Sequence, residues 1–269
     1  MWSVSIPTLR PFWTSLDFPE KSLAALVNAA SFNPRDDNVF ARVANRYDRL
    51  CDIFSLFIHR VWKARMADII AGHPARTILD VASGTGHIPM RLLPLLKKRV
   101  DARLPEKLLV TDLCPEMLAV ARHNLGDSEP WLEYAIADAH NLDGIAANSV
   151  DLYSISFAMK ICDRGPVLSE AMRVLKPGGR FFCLEAARIP SDLLHSAYLK
   201  YMDWCLPVIG WLAANRDPAA YRYLLDGIHD FPSQAAFAAE LQQQGFEAVS
   251  FENMTFGIVA LHTARKPLE

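Results

Sequence analysis

The chain has 269 residues, with 28 Lys and Arg against 30 Asp and Glu. A chain of this length can bury a full core in one large α/β domain. The balanced charge provides no electrostatic basis for binding nucleic acid. The five cysteines include no Cys-x-x-Cys pair and no zinc-ligand spacing with histidine, which argues against a disulfide framework and a metal site.

The sequence predicts a cytoplasmic protein. Its N-terminus shows no secretory signal pattern, because the first basic residue is Arg10 and the apolar stretch 23–30 is short. No apolar run reaches the ~20 residues that span a bilayer. The longest run, 204–214, predicts an apolar pocket, a homodimer interface or peripheral contact with a membrane surface.

The N-terminal part divides into two predicted segments. Residues 1–35 are interrupted by prolines and form a predicted arm. Residues 36–72 are expected to be helical, because apolar side chains in their second half recur at helical spacing and form one face: Ile58, Val61, Trp62, Met66, Ile69 and Ile70. The helical segment opens a single domain predicted to cover residues 36–269.

A glycine turn follows the first predicted strand. The strand, 77–81, delivers the carboxylate of Asp80, and Gly84 and Gly86 then let the backbone pass close to a ligand. A helix that begins near Ile88 supplies amide groups at its N-terminus. The arrangement predicts a nucleoside-binding βαβ unit.

The ligand follows from two further positions. Asp112 ends the next apolar strand, 108–112, and is placed to accept hydrogen bonds from ribose hydroxyls. A dinucleotide site would carry a third glycine where this chain has Pro89. An adenosine compound without a pyrophosphate fits better, and S-adenosylmethionine is the leading candidate.

Strands and helices continue to alternate downstream. Two strand-like runs, 131–137 and 150–157, precede a helix to Leu175, a Lys-Pro-Gly-Gly turn at 176–179 and a further strand at 180–186. Such alternation predicts a Rossmann-like, doubly wound α/β fold, with a mostly parallel seven-stranded sheet. Its ligands bind outside the carboxyl ends of the strands.

The C-terminal third interrupts this alternation. Residues 191–230 are rich in Tyr, Trp and Leu and predict an inserted helical lid. A helix at 233–244, closed by Gly245, precedes two strands at 246–252 and 255–264. Because only two residues separate these strands, they predict an antiparallel hairpin at the end of the sheet.

Three regions resemble the ubiquinone/menaquinone biosynthesis C-methyltransferases, a family of S-adenosylmethionine-dependent enzymes. The segment that begins Tyr47-Asp-Arg-Leu-Cys-Asp and continues to His59 and Trp62 is similar to their first signature, and 173–185 is similar to their second. A third likeness lies in the C-terminal part, at Tyr221-Arg-Tyr-Leu, Phe231-Pro-Ser-Gln and Gly257-Ile-Val-Ala-Leu-His. The likeness covers about residues 38–266.

The resemblance implies methyl transfer from S-adenosylmethionine to a ring carbon of a prenylated quinol, a hydrophobic small-molecule acceptor. It implies cofactor contacts from Thr85, Asp112, Asp138, Ala139 and Ser156, supported by Asp80, Gly84 and Gly86. Met117 is placed either to pack on adenine or to fill the core. Asp138 alternatively caps a turn, and Thr85 and Ser156 alternatively satisfy local backbone groups.

Carbon methylation needs an electron-rich ring, and hence removal of a phenolic proton of pKa ~10. Predicted catalytic residues are Tyr47, His59 and Lys160, with His229, Tyr198 and Tyr221 as further candidates. His59 is equally interpretable as a structural hydrogen-bonding residue and Lys160 as a surface lysine, whereas His262 is expected to be structural.

The chain departs from the family pattern near the predicted chemistry. The related enzymes carry Arg-Asn after the fourth strand, where this chain has Lys160 and Ile161, so a bidentate guanidinium and an amide are lost. Cys51 and Ala187 replace the usual Asn and Ser. Two alternatives therefore stay open: O- or N-methylation of a natural product or lipid headgroup, and a cofactor-binding scaffold subunit without turnover.

Overall fold

The computed structural model describes residues 39–98, 104–213 and 227–269. All of these residues belong to one compact unit. The predicted arm at 1–35, the central part of the predicted lid and Tyr221 lie outside the described residues. The predicted domain boundaries stay a prediction.

The described residues include seven strands and seven α-helices with defined bounds, together with helical residues at 227–230. The helices are α1 (Val39–Phe54), α2 (His59–Ala71), α3 (His87–Lys98), α4 (Pro115–Leu125), α5 (Arg164–Val174), α6 (Asp192–Ala213) and α7 (Gln234–Gln243). The strands are β1 (Thr77–Val81), β2 (Lys107–Asp112), β3 (Leu132–Ile136), β4 (Val150–Ser156), β5 (Leu175–Ala186), β6 (Glu247–Met254) and β7 (Val259–Arg265).

The strands form one sheet in the order β3-β2-β1-β4-β5-β7-β6. The first five are parallel, and β7 runs antiparallel to both β5 and β6. This confirms the predicted doubly wound fold with its antiparallel C-terminal pair. The strand order reverses at β1, so the ends of β1 and β4 flank a crevice of the kind in which such sheets bind ligands.

Strand side chains alternate between two hydrophobic cores. On one face, Ile78 packs with α2, α3 and α4. On the other, Leu79 packs with α5 and α7. Because successive strand residues point to opposite faces, Asp80 lies on the face of Ile78, toward α2 and α3. The side chains of α2 therefore approach the carboxyl end of β1.

The described part of the predicted helical segment 36–72 consists of two helices, α1 and α2. Leu56 and Phe57 have φ values of 49° and 65°, which end α1 and reverse the chain before α2 begins at His59. The helical period of the sequence did not reveal this break, because both residues are apolar and continue the pattern. Their side chains are 72% and 57% exposed, so the turn presents apolar surface.

Two predicted turns were wrong in detail. The Lys-Pro-Gly-Gly segment lies inside β5, which begins at Leu175 and carries an irregularity in its pairing with β4 there. The predicted Asn253-Met254 hairpin turn belongs to β6, and a short 3₁₀ turn at Thr255–Gly257 makes the connection instead. A positive φ at Phe256 produced this turn without a glycine at that position.

Within the described ranges, no helix is long and apolar enough to cross a membrane. Nor do the described residues contain a group of three or more His, Cys, Asp or Glu arranged to hold a metal ion.

Candidate active site

The glycine turn between β1 and α3 is held by the carboxylate of Asp112. One oxygen accepts a hydrogen bond from the Gly84 amide at 2.7 Å, and the other accepts one from the Cys114 amide at 2.8 Å. Burial raises the pKa of Asp112 above its ordinary value. The predicted ribose acceptor thus also fixes the turn to the end of β2.

Gly84 and Gly86 have positive φ values of 56° and 80° but different surroundings. A Cβ atom at Gly84 would meet no atom within 4 Å, so the backbone borders open space there. A Cβ atom at Gly86 would lie 3.0 Å from Leu125 and 3.1 Å from Ala121 on α4. Gly84 therefore leaves room for a ligand, and Gly86 allows α4 to pack closely.

The two glycines predict different costs for alanine substitution. Gly84→Ala should cost about 1–2 kcal/mol of folding free energy from its left-handed backbone. Gly86→Ala should cost a further 1–3 kcal/mol, roughly, from overpacking against α4. Urea denaturation measures both costs, and equal losses would contradict the packing role of Gly86. Calorimetry with S-adenosylhomocysteine should show weakened binding by Gly84→Ala, because the added methyl group occupies the open space.

Asp80 carries an unfilled hydrogen-bonding position. Its side chain is buried, and one oxygen accepts a hydrogen bond from the Ser154 hydroxyl at 2.5 Å. The other oxygen, Oδ2, is buried without a hydrogen-bond partner. Burial raises the pKa of Asp80 to about 6. An orphaned carboxylate oxygen at a strand end suits a ligand that brings its own donor.

Met117, Asp138 and Ala139 lie around the ends of β2 and β3. Met117 is buried on α4, and Ala139 is buried in the core below β4. Asp138 accepts hydrogen bonds from the amide and ring Nδ1 of His140, at 2.9 Å and 2.7 Å. These contacts match the turn-capping alternative for Asp138. Ser156 is the last residue of β4.

A polar cluster made of Asp48, Lys63, Thr85 and His87 lies under the glycine turn. Asp48 accepts a hydrogen bond from the Thr85 hydroxyl at 2.5 Å, and its Oδ1 lies 3.1 Å from His87 Nε2. Burial opposes ionisation of Asp48, but the hydrogen bonds from His87 and Thr85 lower its pKa overall. The hydroxyl of Thr85 thus ties the turn to α1.

His59 packs against this cluster. Its ring stacks on His87 with centroids 5.6 Å apart, and its Nδ1 lies 2.7 Å from the Ser55 hydroxyl. Its Nε2 is 3.7 Å from Asp52, which pairs with Arg60 instead. Burial, followed by Lys63, lowers the pKa of His59 to about 4. The imidazole is therefore neutral near pH 7, and its Nε2 is buried without a hydrogen-bond partner.

Tyr47 lies on α1 close to the cofactor side of the site. The Cys51 thiol, which hydrogen-bonds to it, and burial together raise the pKa of Tyr47 well above its ordinary value, and Asp112 and Asp48 add to the effect. The phenol therefore stays protonated at neutral pH. In that state it can donate a hydrogen bond but is a poor base.

Lys160 is buried rather than on the surface, with its side chain 6% exposed. Its ammonium lies 3.1 Å from Glu185 Oε1 and also donates to the Phe157 carbonyl. Glu185 accepts a second hydrogen bond, at 3.2 Å, from the Lys160 amide. The pair sits where β4 and β5 end, and Phe157 beside it has a positive φ of 56°. The surface alternative for Lys160 was wrong, because β5 supplies a buried carboxylate 25 residues away.

The remaining candidates have distinct surroundings. Burial raises the pKa of Tyr198 on α6, and Tyr201 and Glu185 add to the effect. His229 Nε2 lies 3.5 Å from Asp203 on α6. His262 is buried in β7 with its Nε2 3.0 Å from the Gln234 carbonyl.

Sequence reasoning missed Asp48, Lys63, His87 and Glu185. Asp48 and Glu185 lie inside the two quoted signatures, so they could have been singled out there. Lys63 follows Trp62 and precedes Met66 on the apolar stripe of α2, where a lysine is a conspicuous exception. His87 gave no signal, because its contact with Asp48 joins segments 39 residues apart.

The fold and the site together define a class of protein. A mostly parallel sheet of this order, with a glycine turn after β1 and carboxylates at the ends of β1 and β2, is that of a methyltransferase that depends on S-adenosylmethionine. The orphaned Asp80 Oδ2 and the open space at Gly84 fit such a ligand. When bound, S-adenosylmethionine supplies an electrophilic methyl group on a sulfonium.

Comparison with known proteins identifies the family. The model of the ubiE/COQ5 methyltransferase family matches residues 29–266. The ubiquinone/menaquinone biosynthesis C-methyltransferase UbiE of Cereibacter sphaeroides is 38% identical over 231 residues, 85% of this chain and 89% of that protein. The mitochondrial 2-methoxy-6-polyprenyl-1,4-benzoquinol methylase of Dictyostelium discoideum is 34% identical, across 85% of this chain and 80% of that protein.

Solved structures agree on the fold. A Thermotoga maritima methyltransferase matches with a TM-score of 0.57 at 16% identity, over 85% of this chain and 98% of that one. The chain belongs to the ubiE/COQ5 methyltransferase family.

Proposed function

We propose that this methyltransferase transfers the methyl group to a ring carbon of a hydrophobic, quinol-like acceptor. The relatives described above bear names of quinone-biosynthetic C-methyltransferases, and one names a polyprenyl benzoquinol as its substrate. The observation that carries the proposal is the buried Lys160–Glu185 pair at the carboxyl ends of β4 and β5.

The pair suits a phenolic acceptor for an electrostatic reason. A ring carbon becomes nucleophilic when the neighbouring phenol loses its proton, and the resulting phenolate needs a cation beside it. Lys160 provides an ammonium in a site with little water, where such an interaction is stronger than in bulk solvent. Glu185 holds that ammonium in place through one oxygen, while its other oxygen binds the Lys160 amide.

Aromatic and backbone groups shape the space around the pair. The Lys160 ammonium lies 5.4 Å from the centre of the Phe157 ring, and Phe157 packs against Trp62 on α2. A Cβ atom at Gly227 would lie 3.0 Å from the Lys160 carbonyl, so the C-terminal end of the predicted lid packs closely against this segment. These apolar surroundings support an aromatic acceptor.

Peripheral membrane contact stays part of the proposal. Ile53, Leu56, Phe57 and Val61 are more than half exposed around the turn between α1 and α2. A cluster of exposed apolar side chains supports docking on a lipid surface, where a prenylated acceptor resides. The apolar run 204–214 was the predicted contact, but its side chains lie outside those that the structure describes.

Methyl transfer can be tested with isotope-labelled S-adenosylmethionine and 2-methoxy-6-polyprenyl-1,4-benzoquinol, kept reduced under anaerobic conditions. We expect a labelled product whose NMR spectrum shows the new methyl group bonded to a ring carbon. A methyl group on oxygen or nitrogen would overturn carbon transfer and favour the alternative of an O- or N-methyltransferase. Donor binding without transfer to this quinol or to demethylated quinone extracts would favour the alternative of a cofactor-binding scaffold subunit without turnover.

A further inference from the structure

Lys63 is a buried cation without a charged partner among the described residues. Its side chain extends from α2 under the glycine turn, and the residue is 8% exposed. Its ammonium contacts His87 Nδ1 at 3.3 Å and lies 5.7 Å from the centre of the Phe157 ring. Because the opposite ring atom of His87, Nε2, is 3.1 Å from Asp48, the proton belongs on Nε2 and Nδ1 accepts from Lys63.

That contact uses one of the three N–H groups of the ammonium. Among the described residues, the ammonium makes no other hydrogen bond. A buried ammonium with unused donors is costly unless a ligand completes its coordination. Lys63 therefore has the features of an anion-binding residue rather than of a structural ion pair.

Asp80 has the complementary deficiency. Its Oδ2 is buried without a donor, while Oδ1 is occupied by the Ser154 hydroxyl. Burial lowers the pKa of Lys63 and raises that of Asp80, so burial disfavours the charged form of both groups. Against this, the charge of each group favours the charged form of the other. One buried group thus lacks an acceptor and the other lacks a donor, on the same side of the sheet.

The two unfilled groups together match an α-amino acid zwitterion. A carboxylate needs donors such as the Lys63 ammonium, and an α-ammonium needs an acceptor such as Asp80 Oδ2. S-Adenosylmethionine carries this zwitterion at its methionyl end. The position also fits, because the ribose acceptor Asp112 lies on the neighbouring strand β2 and holds the same turn.

We propose that Lys63 binds the α-carboxylate of the methyl donor, with Asp80 accepting a hydrogen bond from its α-ammonium. The cluster of Asp48 and His87 positions Lys63 for this role by holding His87 in the tautomer that accepts from it. The proposal concerns only the donor and is independent of which acceptor is methylated.

Calorimetry with a truncated ligand tests the assignment. S-Adenosylhomocysteine and its decarboxylated analogue differ only in the carboxylate that Lys63 is proposed to bind. For the unmodified protein, we expect S-adenosylhomocysteine to bind about 10- to 100-fold more tightly than the analogue, as for a charge-assisted hydrogen bond. In Lys63→Met, that ratio should fall to about one.

Two controls separate this role from a general loss of structure. Lys97→Met removes an exposed lysine at the end of α3 and should leave the ratio unchanged. 5′-Methylthioadenosine lacks the whole amino acid end, so Lys63→Met should bind it as the unmodified protein does. Lys63→Gln, which keeps hydrogen-bond donors without the charge, should show an intermediate ratio.

Two results would overturn the proposal. One is a ratio near one in the unmodified protein, which requires no variant and is therefore decisive even where Lys63→Met fails to fold. The other is a Lys63→Met or Lys63→Gln variant that binds 5′-methylthioadenosine normally and still prefers the carboxylated ligand as strongly as the unmodified protein.

Discussion

Lys160→Met is expected to lower the turnover of the quinol acceptor by about 10²- to 10⁴-fold, the range typical of positioned acid–base and charge-stabilising groups. Affinity for S-adenosylhomocysteine should stay unchanged, because Lys160 contacts Glu185 and Phe157 and not the glycine turn. Turnover and calorimetry measure the two effects. Turnover within tenfold of the unmodified protein would remove Lys160 from the chemistry.

The Lys160 experiment needs a control for folding. Lys160→Met leaves the Glu185 carboxylate, whose side chain is 1% exposed, buried without its cation, which costs roughly 3–5 kcal/mol. The double variant Lys160→Met/Glu185→Gln removes that charge and should recover much of the stability without recovering turnover. Recovery of turnover by the double variant would assign the loss to misfolding.

Two further variants test whether the loss of turnover is specific to the charge at position 160. Lys160→Arg keeps the cation and restores the residue type that the family carries there, so partial turnover is expected. Lys176→Met removes a partly exposed lysine at the N-terminal end of β5, which pairs with Asp151 on β4. Its turnover should be unchanged, with a stability cost of about 1 kcal/mol or less.

Asp80→Asn is expected to change how folding stability depends on pH. Burial raises the pKa of Asp80 from 3.8 to about 6, a difference of about 2.2 pH units, or roughly 3 kcal/mol at 1.36 kcal/mol per unit. A raised carboxyl pKa contributes stability below the unfolded pKa and loses it as pH rises through the folded pKa. The variant should therefore gain stability relative to the unmodified protein by up to about 3 kcal/mol between pH 4 and pH 7.

Urea denaturation without ligand at these two pH values measures the difference. His59, with its pKa lowered to about 4, gives stability that is lost as pH falls, but it is present in both proteins and cancels. Asp151→Asn is the matched control of opposite sign, because hydrogen bonds from Lys176 and the Thr77 amide lower the Asp151 pKa against burial. A pH-independent difference for Asp80→Asn would contradict the raised pKa.

The same substitution should weaken donor binding. Asp80→Asn replaces the carboxylate, whose Oδ2 is proposed to accept a hydrogen bond from the α-ammonium of the donor, with a neutral amide that binds an ammonium less strongly. Calorimetry with S-adenosylhomocysteine at pH 7.5 should show the loss, together with the increased stability of the ligand-free protein. The native carboxylate is thus expected to trade folding stability for ligand binding.

The order of the elements could be predicted because it depends on local patterns. Alternating apolar strands and helices, the two glycines after β1 and the acids that end β1 and β2 all lie within short stretches of sequence. Parallel pairing then places Asp80 and Asp112 at one edge, since the carboxyl ends of neighbouring strands meet there. Errors occurred at Leu56 and Phe57 and at the hairpin, where non-glycine residues adopt positive φ and give no compositional signal.

The state of the charged residues was decided by the tertiary structure. Nothing near Lys160 in the sequence predicts its burial, because Glu185 arrives on another strand. The partners of Lys63 likewise lie on α3 and after β4, tens of residues away. Periodicity determines which face of an element is apolar, whereas the burial and pKa of a charge depend on which distant elements pack against it. The sequence by itself therefore determined the fold and the edge that binds the donor, and only the packing of α1, α2 and β5 decided which cations and carboxylates meet there.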